Sequence, residues 1–260
     1  MRRLSAEAFL LEVVDLHDCD RIVTFLTAEW GRKRGVSRGA RTKYSRFAGQ
    51  LQLLAKVDIG WFEKEGRDLV RIESVELIRP CRGVLETLEG ILMVSYFAEH
   101  LGTFAQENED CTDLMRLLER SLGWLEDGTD PELVARYFEV WVLRLAGIFP
   151  VPRGCTCCGG DLLEKGAVLT RSSDELLCSD CGRGAGGGGA TSVSRAALTF
   201  LRATARHTPA DLGPEWSQAL VLDEVEKLAA RVRVSFLQQE LRSYEVMQQT
   251  LQRQREMAKV

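Results

Sequence analysis

Four of the eight cysteines form two pairs with the spacing of a metal site. Two residues separate Cys155 from Cys158 and Cys178 from Cys181, and nineteen residues lie between the pairs. Two residues between thiolates allow a tight turn that directs both sulfurs at one tetrahedral ion. We therefore expect these four cysteines to hold a structural Zn²⁺, because a closed four-thiolate shell leaves no position for a catalytic water. The alternative is a set of unligated thiols.

A second group of residues forms a basic stretch, 31–47, with seven cations and no acid in a chain of formal net charge −4. Cations and hydroxyls bind phosphate oxygens, and the faces of Tyr44 and Phe47 could stack on unpaired bases. This composition predicts a nucleic-acid site, whose contacts we assign to Lys33, Arg34, Arg38, Arg41, Lys43 and Arg46. The alternative is a solvated loop with no specific ligand.

Residues 6–79 have the pattern of a small β domain. Apolar residues fill every odd position from Leu51 to Trp61, which predicts a strand with one buried face. The alternation changes phase near Ser74, which indicates a β-bulge. About five strands, with turns expected at Asp18, Gly31, Gly35 and Gly66, fit a closed five-stranded barrel of the OB-fold type. The basic stretch would then lie on the third strand and the segment after it.

The chain becomes helical after Pro80, so the fold class is α+β. Apolar spacings of three and four predict helices near 85–96 and 114–125, and Asp130-Pro131 predicts a helix start. Eleven acids and two arginines in residues 86–130 predict a surface facing solvent, a protein partner or cations of the same chain.

The remaining expectations concern residues 182–260. The glycine-rich residues 182–190 read as a flexible linker, and a helix is expected at 195–206. One last long helix is expected from about Pro214 into the 250s, with Phe236 on its apolar face. Beyond Met247 the polar sequence is expected to fray or to extend past the fold.

Several functional classes are disfavoured by residue types that the sequence lacks. It has no nucleotide-binding loop and no carboxylate cluster of two-metal spacing, so we predict that the protein is not an enzyme. His17, His100 and His207 are isolated and are expected at surfaces or interfaces. Acidic residues interrupt the first apolar segment, and no apolar run reaches about 18 residues, which predicts a cytoplasmic protein.

The order of these parts resembles the RecO family of bacterial recombination mediators. The resemblance is carried by the segments DRIVTF (20–25), GVSRGAR (35–41), SRF (45–47), FEVWVLRLAG (138–147) and LRS (241–243), with Pro152, Gly159, Leu177 and the four paired cysteines. It implies an OB-fold that binds single- and double-stranded DNA, followed by a helical domain with an embedded zinc knuckle. It further implies strand annealing, binding to RecR and single-strand binding protein, and help in loading RecA.

On this basis the expected domains are an OB-fold at 1–80, helices at 81–150, a zinc knuckle at 151–183, and a linker with C-terminal helices at 184–260. Two other functions are compatible with the residues. One is a zinc-containing regulator that binds a specific nucleic-acid sequence without annealing activity. The other is a scaffold that binds only proteins, with the basic stretch docking an acidic partner.

Overall fold

The computed structural model describes residues 2–184, 189–213 and 216–257. The chain divides into two compact units, one comprising Met1–Leu122 with Leu241–Val260 and the other Gly123–Glu240. Within the described ranges, no helix is both long and apolar enough to cross a membrane.

The first unit contains a closed barrel of five strands, β1 (Arg2–Leu16), β2 (Asp20–Thr27), β3 (Gly31–Ser37), β4 (Lys56–Glu63) and β5 (Val70–Arg79). The strands follow the order β1-β2-β3-β5-β4 around the barrel. All neighbours are antiparallel except β3 and β5, which are parallel. The predicted five-stranded OB-type barrel is confirmed, and the basic stretch occupies β3 and the segment after it.

The barrel closes through a short contact between β3 and β5. Only two residue pairs join these strands, Gly35 with Val70 and Val36 with Arg71. A Cβ atom on Gly35 would lie 2.8 Å from side-chain carbons of both Val70 and Ile72. The expected turn at Gly35 is therefore wrong: this glycine lies inside a strand, because only a residue without a side chain permits the close approach.

The predicted bulge in β5 is confirmed by the pairing of β4 with β5. Gly60 pairs with Ser74 and Trp61 pairs with Ile72, so Glu73 has no opposite residue. An extra residue in one strand bends it and increases its twist, which helps a small sheet close.

The strand predicted from residue 51 begins only at Lys56. Residues 38–55 form a long loop, which we call the basic loop, between β3 and β4. Ala40, Phe47, Leu51 and Ala55 lie in the barrel core beside Phe25 and Trp61. The apolar positions that resembled the start of a strand are therefore those with which the basic loop packs into the barrel.

Three helices accompany the barrel: α1 (Leu88–Phe104), α2 (Thr112–Glu126) and α8 (Arg242–Met257). Glu99 of α1 accepts hydrogen bonds from the backbone N–H groups of Arg242 (3.1 Å) and Ser243 (2.6 Å) at the start of α8. A carboxylate at a helix N-terminus satisfies free donors and complements the helix dipole. His100 is fully buried in α1, which excludes the first of the two positions, surface or interface, expected for it.

Acids of the segment 86–130 pair with cations of the barrel. Glu119 of α2 lies 3.1 Å from the Lys56 ammonium and 4.0 Å from Arg79. The pKa of Lys56 is raised, first by its hydrogen bond to Glu7 and then, against the opposing effect of burial, by Glu119. The acidic segment was expected to face solvent, a protein partner or cations of the same chain. For Glu119 the structure shows the third of these.

The second unit contains helices α3 (Pro131–Leu145), α4 (Leu162–Lys165), α5 (Ser179–Gly184), α6 (Arg195–Ala203) and α7 (Ala219–Leu237), with a small sheet of β6 (Ala167–Leu169), β7 (Leu176–Cys178) and β8 (Thr191–Val193). The predicted start of α3 is confirmed: Asp130 accepts the Glu132 N–H at 2.9 Å, and Pro131 occupies the first turn. Phe236, expected on the apolar face of the last helix, is exposed.

The single last helix expected into the 250s is instead two helices, α7 and α8. Helix α7 ends where Gln238 adopts a left-handed conformation with φ of 60°. Fraying beyond Met247 is also not observed, since α8 continues to Met257. In the predicted linker, residues 182–184 belong to α5, while 185–188 lie outside the described residues, as does Pro214.

Substitution of Phe47 measures how much its packing into the barrel contributes to the free energy of unfolding. Its side chain is 2% exposed, so Phe47→Ala leaves a cavity and should lower the free energy of unfolding by about 4 kcal/mol. Tyr44→Ala is the matched control, because Tyr44 is 90% exposed and its loss should change stability by less than about 0.5 kcal/mol. Urea unfolding measures both, and equal stability of the two variants would contradict the anchoring role.

Candidate functional site

The basic loop is ordered by a succession of backbone turns. The N–H groups of Thr42, Ser45 and Ala48 each donate to the carbonyl three residues earlier, at 3.0–3.1 Å. Gly39 has a φ of +68°, a conformation that costs glycine little, where the chain leaves β3. Buried apolar side chains and repeated turns together hold the loop in one conformation, which limits the entropy lost when a ligand binds.

The turn between β1 and β2 also holds the basic loop. Asp20 accepts the Gly39 N–H at 2.9 Å, and the Arg41 N–H donates to the Cys19 carbonyl at 3.0 Å. The Arg41 guanidinium donates to the His17 carbonyl at 2.8 Å. The start of the loop is therefore fixed to the barrel by polar contacts as well as by its buried side chains.

Five of the six cations assigned to nucleic-acid contact lie on the surface. These are Arg34 on β3 and Arg38, Arg41, Lys43 and Arg46 on the basic loop. Four of them belong to nine consecutive residues, so the structure presents a compact surface with few acids. The described residues include no ion-pair partner for Arg34, Arg38, Lys43 or Arg46, whereas Arg41 contacts Asp15.

Lys33 differs from the other five because its side chain is fully buried. Its ammonium lies 2.7 Å from Glu63, 3.2 Å from Glu107 and 2.5 Å from the Asn108 side-chain oxygen. An ammonium satisfied by three acceptors inside the protein cannot reach a phosphate, so we remove Lys33 from the contact set. The alternation of side chains along β3 could have indicated this burial from the sequence, because Lys33 shares its face with the buried Gly35 and Ser37.

The two aromatic side chains of the stretch have different environments. The exposed ring of Tyr44 is available to a base, with the Lys43 ammonium 5.7 Å from its centre. Phe47 is buried beneath Arg46, whose guanidinium carbon lies 4.9 Å from the ring centre. The expected stacking face at Phe47 is therefore wrong, because the barrel core encloses that ring.

The four paired cysteines meet at one point in the second unit. Their sulfur atoms all lie within 4.8 Å of one another. The sulfurs of Cys158 and Cys178 are 3.8 Å apart, which is about the sulfur separation expected for a tetrahedral ion with metal–sulfur bonds of about 2.3 Å. The donor set and its geometry therefore fit a four-thiolate metal site.

Local structure positions each cysteine pair. Gly159 takes a φ of +72° after the first pair, and its N–H donates to the Cys155 carbonyl at 2.8 Å. Cys178 ends β7, and α5 begins at the next residue and carries Cys181. Gly182, the residue after the second pair, lies in α5 against Val168.

The four thiols do not ionise alike. Burial opposes ionisation of Cys155, but N–H groups of Cys178, Cys158 and Cys157 donate to its sulfur and lower its pKa to about 6. The N–H of Cys181 is the main cause of a lowered pKa at Cys178. The pKa of Cys181 is raised, first by its contact with Cys178 and then by Cys158. A bound cation favours the thiolate form of all four.

A closed barrel with an exposed cationic loop, in one chain with a helical unit and a four-cysteine site, defines an OB-barrel protein with an embedded cysteine knuckle. A family model described as Recombination protein O N terminal matches residues 1–81, and one described as Recombination protein O C terminal matches residues 85–242. The chain belongs to the RecO family.

Curated relatives have the same family name. DNA repair protein RecO of Anaeromyxobacter sp. (strain Fw109-5) is 31% identical over 226 residues, covering 84% of this chain and 88% of the relative. The Geobacter metallireducens protein of that name is 30% identical, with 70% and 74% covered. The Symbiobacterium thermophilum protein is also 30% identical, with 70% and 72% covered. Family membership supports a role in DNA repair and recombination.

The metal site yields a prediction about stability. Cys158→Ser removes one of four ligands, and the loss of metal should lower the free energy of unfolding by about 4 kcal/mol and the Tm by about 10 °C. The measurements are thermal unfolding and metal content by mass spectrometry. Cys19→Ser is the control, because Cys19 is exposed and outside the cluster. An unchanged Tm in Cys158→Ser, or a metal-free wild-type protein, would contradict a structural metal.

Proposed function

We propose that the chain is a recombination mediator that binds single- and double-stranded DNA and anneals complementary single strands. The observation that carries the proposal is the set of exposed cations on a basic loop whose backbone is fixed to a closed barrel. The contact residues are Arg34, Arg38, Arg41, Lys43 and Arg46. OB-fold barrels bind single strands with their surface and loops, and this loop joins two strands of such a barrel.

The proposed mechanism needs no covalent step and no catalytic residue. Two complementary strands repel each other through their phosphates, and cations that neutralise several phosphates release the counterions condensed on the strands. Neutralised strands can approach closely enough to pair. Tyr44 supplies one stacking face for an unpaired base, while the cations bind the sugar-phosphate backbone without preference for sequence.

Membership of the RecO family supports further proposals about partners. We propose that the protein binds RecR and single-strand binding protein, and that it thereby helps to load RecA on DNA coated with single-strand binding protein. It would act in the cytoplasm, on the nucleoid. We also retain the domain limits 1–80, 81–150, 151–183 and 184–260 as proposals.

We propose that the metal at Cys155, Cys158, Cys178 and Cys181 is Zn²⁺ with a structural role. Four-sulfur tetrahedral sites are typical of structural zinc, and these four residues occupy all its positions. When bound, the ion would cross-link the two turns that carry the cysteine pairs, a segment with little apolar core of its own.

The proposed activity is tested by annealing. Purified protein is mixed with two complementary labelled oligonucleotides, and pairing is followed by fluorescence at several salt concentrations. We expect a salt-sensitive acceleration that an Arg38→Ala/Arg41→Ala variant largely loses. Its binding to single-stranded DNA should lose about 0.7 units of salt slope for each contact removed.

A non-complementary pair of oligonucleotides is the control for annealing. Unchanged salt dependence in the double variant would refute the assigned contacts. Tight binding with a strong preference for one sequence and no annealing would favour a zinc-containing regulator, and absence of binding at moderate salt would favour a protein-only scaffold.

Lys33 and Arg34 provide a paired test of which cations contact DNA. Lys33→Met should lower the free energy of unfolding by about 2 kcal/mol, because it leaves Glu63, Glu107 and Asn108 without their common donor, yet leave the salt slope unchanged. Arg34→Ala should show the opposite pattern, with unchanged stability and a lower slope. Urea unfolding and salt titrations of DNA binding distinguish them, and a reduced slope in Lys33→Met would return that residue to the contact set.

A further inference from the structure

An aspartate and two arginines form a cluster at the edge of the proposed DNA surface. Asp15 lies near the end of β1, Arg21 near the start of β2, and Arg41 on the basic loop. The Nε of Arg21 lies 3.1 Å from one carboxylate oxygen of Asp15, and the Nε of Arg41 lies 3.3 Å from the other. Both guanidiniums therefore share one carboxylate, although they belong to segments about twenty residues apart.

Each guanidinium retains donors beyond those that Asp15 engages. Arginine has five N–H donors. Asp15 accepts a hydrogen bond from the Nε–H of Arg21 and forms an ion pair with the Nε of Arg41, and the His17 carbonyl accepts one further donor of Arg41. No other acceptor contacts these two side chains within the described part of the chain. The Arg21 and Arg41 side chains are 34% and 37% exposed, so their remaining donors are accessible from solvent.

The arrangement is anchored on all three segments. Arg21 pairs with Ser37 across β2 and β3, and the Ser37 hydroxyl donates to the Arg21 carbonyl at 3.2 Å. Arg41 is held by the carbonyls of His17 and Cys19, independently of Asp15. Removing the carboxylate would therefore leave the backbones of both arginines in place, with Arg38 in the turn that directly follows Ser37.

We propose that Asp15, Arg21 and Arg41 form a phosphate-binding position in which Asp15 competes with DNA. In this position Arg21 is a further DNA contact, and the Asp15 carboxylate occupies the guanidiniums until a phosphate oxygen replaces it. The inference rests on the proposed function and deepens it. In this proposal an acid of the chain itself, Asp15, weakens a contact between the protein and DNA.

Because the ion pairs of Asp15 are exposed to solvent, loss of its carboxylate should strengthen DNA binding. Exposed ion pairs in water are weak, so the carboxylate is readily replaced, whereas a phosphate can accept two parallel hydrogen bonds from each guanidinium. A phosphate bound there would lie within a few ångströms of Asp15 and be repelled by it. Because Arg41 keeps its carbonyl contacts, the loss of order in an Asp15 variant is small and the loss of repulsion dominates.

The test compares five proteins, all full-length: wild type, Asp15→Asn, Asp18→Asn, Arg21→Ala and Arg38→Ala. Affinity for a labelled single-stranded oligonucleotide is measured at several salt concentrations, with Tm as a check on folding. Asp18→Asn is the matched control, because it removes the same charge three residues further on, in the turn after β1, at an exposed residue that no described ion pair engages.

We expect Asp15→Asn to bind DNA about fivefold more tightly than wild type, and Asp18→Asn less than twofold. Arg21→Ala should lower the salt slope by about 0.7, the value for one phosphate contact on a single strand. A purely structural ion pair would change the Tm without changing the slope.

Three results would overturn the inference. If Asp15→Asn binds no more tightly than Asp18→Asn, the carboxylate is not a competitor. If Arg21→Ala keeps the wild-type slope, Arg21 is not a contact. In both cases wild-type binding, with a slope that Arg38→Ala reduces, leaves the proposed function intact. If wild type does not bind DNA, the proposed function fails and this inference fails with it.

Discussion

The close approach of β3 to β5 is the constraint on which the barrel depends. Two residue pairs close the cylinder, and Gly35 must lack a side chain because Val70 and Ile72 occupy the space beside it. If the strands separated there, the core around Phe25 and Trp61 would be open to water, and Phe47 would lose the site into which it packs. The conformation of the basic loop thus depends on an apolar contact, that of Gly35 with Val70 and Ile72.

Electrostatics then divides the cations of the basic stretch into two groups. Lys33 points into the barrel end, where three acceptors compensate for its removal from water. Arg34, Arg38, Lys43 and Arg46 remain in solvent without ion-pair partners among the described residues. A buried charge must be paired, whereas an exposed charge is solvated by water and stays accessible to a ligand. The same stretch therefore contributes both to stability and to a surface suited to a polyanion.

In the second unit the four cysteines lie beside a sheet of very short strands. Its strands β6, β7 and β8 have three residues each, and short strands bury little apolar surface. The four sulfurs lie within 4.8 Å of one another, close enough for one ion to join the turns that carry them. Contacts with the other thiols raise the pKa of Cys181, whereas backbone N–H groups outweigh burial and lower the pKa of Cys155.

Local patterns in the sequence were sufficient for the elements whose chemistry is local. The cysteine spacing, the phase change near Ser74 and the Asp130-Pro131 start each correspond to the structure, because spacing along the chain determines these features. Patterns failed where residues distant in sequence compete for the same space. The alternation from Leu51 predicted a strand, but the barrel core takes those residues as part of a loop.

Residue types and their spacing predict the barrel class, the family, the cluster of four cysteines and the location of the positive charge. Which of the cations are available to a ligand depends on the tertiary fold. Lys33 and Arg34 are adjacent and equally charged, yet one is buried against Glu63 and Glu107 while the other faces solvent. Asp15 meets Arg21 and Arg41 only because β1, β2 and the basic loop converge. Pairing and burial depend on contacts between distant segments, which residue order along one segment does not specify.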